Sequence, residues 1–240
     1  METLSRLSEH IWYIPFEKET DRPILYYIKG ERCAIAVDAG NSPAQTEKFY
    51  NAIRNTGFKL PEMTVISHWH WDHTFGLKAV KGLTIANELT IEKLREVQKW
   101  KWTKEAMKER EESGEDIPFC TECIQKEYPD LSEIEVVLPK IGFTGEMYLD
   151  LGGVGVDLYA RGSTHTKDAV FVHVPADEVL IVEDGDCEDF YCGNIYRKEE
   201  LENLLAFFEG LAYKWHCLGH AFPETKEEAL ERLKGVPVYE

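Results

Sequence analysis

Residues 68–73 read His68-Trp69-His70-Trp71-Asp72-His73, and they directly follow an apolar stretch, Met63-Thr64-Val65-Ile66, and Ser67. Three imidazoles and one carboxylate therefore fall within six consecutive positions. Neutral imidazole nitrogens and carboxylate oxygens are the ligands that zinc and similar divalent ions prefer in proteins. Ligand groups are rarely this dense by chance on a protein surface, so the run predicts a metal site.

The place of this run in the chain also predicts its geometry. If the run ends a strand, alternate side chains point the same way, so His68 and His70 share one face and can bind one ion. Asp72 then continues that face, and His73 turns away as the chain bends into a loop. Such a split suits a site with two neighbouring ions, each with its own ligands.

Composition limits the classes of partner. The chain has 240 residues, of which 43% are hydrophobic and 12% aromatic, enough for a sizeable core in one large domain or two small ones. The formal net charge is −17, from 44 acidic and 27 basic residues. This charge repels nucleic acid and anionic membranes at long range. We therefore expect a small-molecule partner, without nucleic acid or membrane, and the sequence leaves the oligomeric state open.

The cellular location follows from the absence of apolar segments. Residues 1–15 contain several charged side chains and no apolar core, so no secretory signal is expected. No run approaches the length of a membrane span. These features predict a cytoplasmic protein whose cysteines are mostly free thiols.

The first part of the chain reads as strands and one helix. Runs of β-branched and aromatic residues predict strands, and apolar residues at helical spacing predict the helix. The predicted strands are 11–14, 24–28, 33–37, 63–67 and 82–86, and the predicted helix is 43–56. This strand–helix–strand order is typical of a layered fold.

Residues 88–133 are interpreted as an insertion. A long charged helix is predicted over about 88–112, and it breaks at Ser113-Gly114. The insertion either forms a lid over the mouth of the site, where it would set substrate specificity, or merely covers core. Trp100, Trp102 and Phe119 would line a substrate wall in the first case, although core packing is the favoured interpretation.

The second half of the chain again combines predicted strands with predicted helices. The predicted strands are 136–138, 146–149, 154–159, 169–174, 179–182 and 213–218, and the predicted helices are 198–210 and 224–234. Each half thus supplies strands and helices. This arrangement favours a sandwich of two sheets with outer helices.

Five motifs then carry a family likeness in their order along the chain. They are Val37-Asp38-Ala39-Gly40, Ser67-His68-Trp69-His70-Trp71-Asp72-His73, Gly162-Ser163-Thr164-His165-Thr166, Val179-Leu180-Ile181-Val182-Glu183-Asp184 and Leu218-Gly219-His220. With these motifs the chain resembles the metallo-β-lactamase superfamily of hydrolases. The second motif, His-x-His-x-Asp-His, is very specific, and the others gain weight from their order.

The resemblance implies a fold and a ligand set. The fold would be an α+β, four-layer αβ/βα sandwich, formed by residues 1–240 as a single domain with the helical insertion 88–133. One metal ion would be bound by His68, His70 and His165, a second by Asp72, His73 and His220, and Asp184 would bridge them. Asp38 would orient the ligand loop through hydrogen bonds without touching metal.

One departure from the family pattern leaves an alternative open. The family usually has Gly-Asp at the fourth motif, whereas here Glu183 precedes Asp184 and the pair Gly185-Asp186 follows. The position at the end of a strand favours Asp184 as the bridging ligand. The Gly-Asp pair favours Asp186.

The chemistry implied is hydrolysis. Two ions about 3.5–4 Å apart can share a hydroxide that acts as the nucleophile at neutral pH. Zinc is the favoured metal, with iron and manganese as alternatives, and Asp72 would orient the hydroxide and accept its proton. His70 matters here because diiron, oxygen-reducing relatives carry a carboxylate at that position, whereas imidazole suits zinc. The expected substrate is a small ester, lactone, thioester or amide.

A second hypothesis is a non-hydrolytic, iron-binding redox or sensor protein of the same fold. Its motivation is the insertion and the unassigned cysteines, in particular the pair Cys120 and Cys123. This pair would form a structural zinc site, a redox site or, as the favoured interpretation, two ordinary thiols.

Overall fold

The computed structural model describes residues 3–239. The helices are α1 (Pro43–Thr56), α2 (Trp71–Thr74), α3 (Glu88–Val97), α4 (Lys104–Ser113), α5 (Pro118–Glu127), α6 (Lys198–Gly210) and α7 (Lys226–Lys234). The strands are β1 (Ser5–Arg6), β2 (Ile11–Ile14), β3 (Leu25–Lys29), β4 (Ala34–Val37), β5 (Met63–Val65), β6 (Leu83–Asn87), β7 (Ile141–Phe143), β8 (Gly145–Asp150), β9 (Gly155–Ala160), β10 (Val170–Val174), β11 (Val179–Glu183), β12 (Tyr196–Arg197), β13 (Trp215–Leu218), β14 (Glu224–Thr225) and β15 (Val238–Tyr239).

Two sheets carry most of these strands. The first has the order β1-β2-β3-β4-β5-β6-β7, antiparallel as far as β4 and parallel beyond it. The second has the order β14-β13-β11-β10-β9-β8, in which β11 and β13 run parallel and the other neighbours antiparallel. β12 and β15 form a short parallel pair apart from them. Parallel neighbours need a crossover connection, which α1 supplies between β4 and β5.

The two sheets pack face to face, and helices cover both outer faces. Val37 and Val65 of the first sheet share one buried core with Val172 and Ile181 of the second. On the outer face of the first sheet, α1 buries aromatic and aliphatic side chains against β3, and on that of the second, α6 and α7 do the same against β10 and β11. Burial of each large apolar side chain stabilises the fold by about 1.5–3 kcal/mol. The α+β, four-layer sandwich predicted from the sequence is confirmed.

Helix α1 shows how closely local sequence can fix an element. The Ser42 hydroxyl accepts a hydrogen bond from the Gln45 N–H at 3.2 Å, and Pro43 occupies the first turn, where no N–H is needed. Gly57 ends the helix in the left-handed conformation, with φ 85°. Start and stop signals are both in the sequence, and the predicted range 43–56 matches the structure.

The ligand run does not continue a strand, so the strand-alternation argument was wrong. β5 ends at Val65, residues 68–70 lie in a loop, and α2 begins at Trp71. The Ser67 N–H donates to the Asp38 carboxylate at 2.7 Å. The backbone donor that would extend the ladder is thus taken by a side chain, and the chain leaves the sheet.

The insertion differs from its prediction in detail. The single helix expected over 88–112 is two helices, α3 and α4, with a break between them, and α5 was not predicted. The strand expected at 136–138 does not form, because the Val136 carbonyl accepts from the Gln98 side chain at 2.9 Å instead of joining a ladder. No helix within residues 3–239 combines the length and apolarity needed to cross a bilayer.

A buried carboxylate ties two distant turns together. Asp177, between β10 and β11, accepts hydrogen bonds from the Ser8 hydroxyl, from the His10 N–H at 2.8 Å and from His10 Nδ1 at 2.6 Å. Burial alone would raise the pKa of Asp177, but these donors outweigh it and lower the pKa below its ordinary value. The contact therefore joins β1 and β2 to the second sheet through an ionised group.

We expect Asp177→Asn to lower the free energy of unfolding by about 1–3 kcal/mol at pH 7, because a network of buried donors loses its acceptor. Since the folded-state pKa is depressed, this stabilisation exists above the unfolded pKa of about 4 and is lost as the pH falls below it. Urea unfolding at pH 7 and pH 3 measures both effects. Glu202→Gln, which removes the same charge from an exposed site, is the control; a deficit equal at both pH values would contradict the account.

Candidate metal centre

The predicted ligands meet at one end of the sandwich. Asp38 follows β4, residues 68–73 follow β5, Asp184 follows β11 and His220 follows β13, so these side chains leave the carboxyl ends of four strands. His165 comes from the loop between β9 and β10. The candidate ligand atoms form two groups, each within 4.8 Å, namely His68, His70 and His165, and Asp72, His73, Asp184 and His220.

The first group consists of three buried imidazoles. His68 Nε2 and His165 Nε2 each lie 2.9 Å from His70 Nδ1. The outer nitrogens are already engaged, His165 Nδ1 with the Glu188 carbonyl at 2.8 Å and His68 Nδ1 with the Ser67 hydroxyl at 3.0 Å. Within residues 3–239, the three inner nitrogens converge on one point and have no hydrogen-bond partners outside this group.

The protonation of this group suits a metal. Burial lowers the pKa of His68 and of His70, and the neighbouring imidazoles lower both further. Both rings are neutral at physiological pH, so each keeps a lone pair on its inner nitrogen. Neutral imidazole is the form that binds zinc.

The second group brings carboxylates and imidazoles together. Asp72 Oδ2 lies 2.9 Å from His73 Nε2 and 3.0 Å from His220 Nε2, and Asp184 Oδ2 lies 3.1 Å from His73 Nε2. His73 Nδ1 donates to Asp38 Oδ2 at 2.7 Å, so the second proton-binding nitrogen faces the two carboxylates. Either a proton or a metal ion on this nitrogen would satisfy the two carboxylates.

The pKa values of the second group also indicate that positive charge is stabilised there. Burial alone would lower the pKa of His220, but Asp184 and Asp72 outweigh it and raise the pKa to about 9. Burial alone would raise the pKa of Asp72 and of Asp184, but the facing histidines outweigh it and keep both carboxyls ionised at neutral pH. This charge pattern favours a bound cation in the middle of the group.

Asp38 contacts the ligand loop at three points. Its Oδ1 accepts from the Ser67 N–H, and its Oδ2 accepts from the Ser67 hydroxyl and from His73 Nδ1, each at 2.7 Å. Asp38 itself has φ 64°, a left-handed conformation that aspartate tolerates better than most residues. These contacts fix the tautomer and the orientation of His73.

The two aspartates left open by the sequence have different surroundings. Asp184 Oδ2 approaches both His73 and, at 3.5 Å, His220 Nε2. Asp186 is instead paired with His216 Nε2 at 2.8 Å and with the Arg232 guanidinium at 2.7 Å. The geometry therefore favours Asp184 over Asp186 as the bridging position.

Comparison with known proteins agrees with this arrangement. The sequence profile of the metallo-beta-lactamase superfamily matches residues 25–184, two thirds of the chain. The chain belongs to the metallo-β-lactamase superfamily. His165 lies within the matched range, whereas His220 lies beyond it and is placed at the site by the structure alone.

Several solved structures share the fold of this chain. A metallo-beta-lactamase from Pontibacter korlensis superposes with a TM-score of 0.64 at 16% identity, covering 98% of this chain and 100% of that one. The metallo-beta-lactamase DIM-1 gives 0.67 at 18% identity over 96% of this chain and 94% of its own. A double mutant of the sec-alkyl sulfatase PisA1 gives 0.68 at 13% identity, over 97% of this chain but 40% of its own. At such identities the likeness is one of fold.

Glu183 replaces the glycine usual in the superfamily. Its backbone has φ 51°, the left-handed conformation in which glycine is least strained. Its side chain is buried beside Asp38 and His73, and within residues 3–239 neither carboxyl oxygen has a hydrogen-bond partner. Burial, with the charge of Asp38, raises the pKa of Glu183 well above its ordinary value. The sequence showed the departure but not this burial.

Gly219 is required by the close approach of these groups. A Cβ atom at this position would lie 2.6 Å from Asp184 Oδ1 and 2.8 Å from Glu183 Oε2. Any larger residue would therefore push the carboxylates away from His73. The glycine before His220 in the last motif thus has a steric cause.

Asp21 is a site residue that the sequence analysis missed. It lies in the loop between β2 and β3 with φ 56°, and its Oδ1 is 3.4 Å from His220 Nδ1. Burial, with the charge of Asp72, raises the pKa of Asp21 to about 7. No motif or spacing marks this residue, because the contact is made only when β2 and β3 meet the end of β13.

Two tyrosines, two tryptophans and the cysteines lie in different surroundings relative to the centre. The Tyr191 ring lies 5.3 Å from that of His70, whereas Tyr196 bonds Glu188 at 3.1 Å. Trp100 and Trp102 pack in a core cluster under the Arg110 guanidinium, as favoured from the sequence. Within residues 3–239 no disulfide forms, and no cysteine joins a candidate ligand group.

Proposed function

We propose that this protein is a hydrolase that holds two divalent metal ions, with zinc the best match, and cleaves a small-molecule ester, lactone, thioester or amide. The observation that carries the proposal is the meeting of two buried ligand groups at one end of the sandwich. His68, His70 and His165 would hold one ion, Asp72, His73 and His220 would hold the other, and Asp184 would bridge them.

The donor set fits two such ions. The first group offers three neutral nitrogens, which match the imidazole preference of zinc. The second offers two ionised carboxylates and two imidazoles. The carboxylates raise the pKa of both imidazoles, so a metal ion would replace a proton on each ring. The outer nitrogens of His68, His73, His165 and His220 each contact a polar group, as is usual for histidines that bind metal.

The side chains divide the catalytic tasks. Metal ions at such sites act as Lewis acids and lower the pKa of water to about 7. Asp72 lines the cavity in front of the histidines and stays ionised, so its carboxylate can accept the proton of the attacking water. Asp38 and Ser67 hold the ligand loop in place, which reduces reorganisation during the reaction.

The alternative of an iron-binding redox or sensor protein has less support. It was motivated by the unassigned cysteines and the insertion, and within residues 3–239 the cysteines lie outside the candidate ligand groups. His70 contributes an imidazole nitrogen to the first group, where a carboxylate would suit iron better. The alternative predicts iron in the purified protein with a visible absorption band.

Metal removal tests the proposed hydrolysis. Dialysis against a chelator is expected to abolish turnover of p-nitrophenyl acetate and of a simple γ-lactone, and zinc is expected to restore it. The reason is that the serine hydroxyl beside His68, that of Ser67, is buried against Asp38 and does not line the cavity, so it is not placed to attack a substrate. Undiminished turnover by protein shown to be free of metal would refute the proposal.

Asp21→Asn is expected to weaken binding of one of the two ions by about 10- to 100-fold, the usual effect of removing a carboxylate that orients a ligand histidine. The mechanism is loss of the contact with His220 Nδ1, so the other ion should bind as before. Competition with chromophoric chelators of graded affinity measures both constants. Glu19→Gln, in the same loop but exposed, is the control; unchanged affinities in Asp21→Asn would exclude this positioning role.

A further inference from the structure

A chamber of about 650 Å³ opens in front of both ligand groups. Its floor includes His70, Asp72, His165 and His220. This volume lies in the range of ordinary small-molecule sites, about 300–1,000 Å³. A second cavity of about 460 Å³ touches His70 and His165, whereas this chamber reaches residues of both ligand groups.

The walls of the chamber are apolar and come from separate parts of the chain. Ile117 and Phe119 come from the start of α5, Phe190 from the segment after β11, and Leu218 and Phe222 from the end of β13 and the turn after it. Three distant segments thus supply carbon surface to one space. The insertion is one of them, so it faces the centre as well as covering core.

Two aromatic side chains of these walls are largely open to solvent. Phe119 is 54% exposed and Phe222 is 63% exposed. Phe222 packs edge to face with the Phe16 ring, with 5.4 Å between ring centroids. Single exposed apolar residues need no explanation, but two around one cavity beside a reactive centre indicate a binding surface.

Besides its histidines, the chamber is lined by two cationic side chains, those of Arg232 and Lys18. The Arg232 guanidinium is bound to Asp186 at 2.7 Å and also to Glu224, so it is not available to a substrate anion. The other cation of the walls, Lys18, is exposed at the rim. A neutral, apolar group fits this space better than a second carboxylate or a phosphate.

We propose that the chamber binds an apolar arm of the substrate and that Phe119 and Phe222 set this specificity. The arm would be an alkyl or aryl group small enough for an ordinary small-molecule pocket. The inference rests on the proposed hydrolase function. In the reaction the acyl bond to the leaving group breaks, water supplies the new C–OH bond, and the proton taken by Asp72 passes to the leaving group. The products are an acid and an alcohol, thiol or amine.

A chain-length series tests the chamber directly. On metal-loaded protein, kcat/KM for p-nitrophenyl acetate, butyrate, hexanoate and octanoate is expected to rise about three- to fourfold per buried methylene. Phe119→Ala and Phe222→Ala are expected to flatten this rise, because each removes apolar wall surface that the longer chains would contact. Both residues are exposed, so neither variant should impair folding. Tyr148→Ala removes an aromatic side chain that is 65% exposed and does not line the chamber, and it should keep the full rise.

A direct binding measurement distinguishes failure of the chamber proposal from failure of the hydrolase proposal. Calorimetric titration of butyrate, hexanoate and octanoate should show the same increase with chain length, and the same loss in the two phenylalanine variants. Ester turnover without any chain-length dependence would overturn the chamber proposal and leave the hydrolase standing. Chain-length-dependent alkanoate binding without turnover of any ester would support the chamber and overturn the hydrolase.

Discussion

Asp184→Asn is expected to lower kcat/KM by about 10²- to 10⁴-fold, because breaking a buried charge interaction costs about 3–5 kcal/mol and each 1.36 kcal/mol is tenfold in rate. Asn keeps the shape of the side chain but removes the charge that His73 and His220 face at 3.1 and 3.5 Å. The second ligand group would lose one of its two central carboxylates. Metal analysis of the purified variant should show reduced metal content, together with the loss of turnover.

Asp186→Asn is the matched control, since the chain offers a second buried aspartate two residues away. Asp186 is held by His216 and Arg232 and does not belong to the second ligand group. This variant should keep its metal and lose about 1–3 kcal/mol of stability, the usual result of unpairing buried partners. If Asp186→Asn lost the metal and Asp184→Asn kept it, the bridging role would belong to Asp186 and the assignment here would be wrong.

Removal of metal is expected to lower the melting temperature by about 8–16 °C. A ligand present at 1,000 times its dissociation constant stabilises the folded state by about 4 kcal/mol, and in a chain of this size each kcal/mol corresponds to about 2–4 °C. The structural reason is that Asp72 and Asp184 both lie within 3.1 Å of His73 Nε2, so a metal ion bound there would hold groups from separate segments together. Thermal unfolding with zinc, and after chelation, measures the shift.

The same experiment on a ligand variant isolates the cause. His165→Ala removes one of three nitrogens from the first group, so its melting temperature should respond much less to zinc. His173→Ala is the comparison, because His173 is buried in β10 and bonds the Ala212 carbonyl at 3.1 Å, away from the centre. It should be less stable but respond to zinc like the wild type. Equal responses of all three proteins, or none, would contradict a stabilising metal centre at these residues.

The sequence predicted those features whose causes are local. Helix α1 carries both of its caps in the sequence, and its range was predicted without error. The run from His68 to His73 predicted a metal site by the type and density of its ligand groups alone. Superfamily likeness then supplied the distant partners His165 and His220, which no local pattern joins to that run.

The features that escaped prediction depend on tertiary contacts. The His68–His70 loop leaves the strand because Asp38, 29 residues earlier, binds the Ser67 N–H. The strand expected at 136–138 is absent because a side chain of the insertion, that of Gln98, takes the Val136 carbonyl. Asp21 reaches His220 only through the assembled sheets. In each case the partner is distant in the chain, and local sequence patterns contain no information about it.

The metal content of the protein as purified tests the central claim most directly. Elemental analysis by mass spectrometry on protein prepared without added metal or chelator, with concentration from amino-acid analysis, is the measurement. The two ligand groups predict close to two equivalents of a divalent metal, chiefly zinc, falling to about one in His165→Ala as the first group is lost. Protein that is correctly folded, binds less than one tenth of an equivalent and takes up none from added zinc would contradict the account.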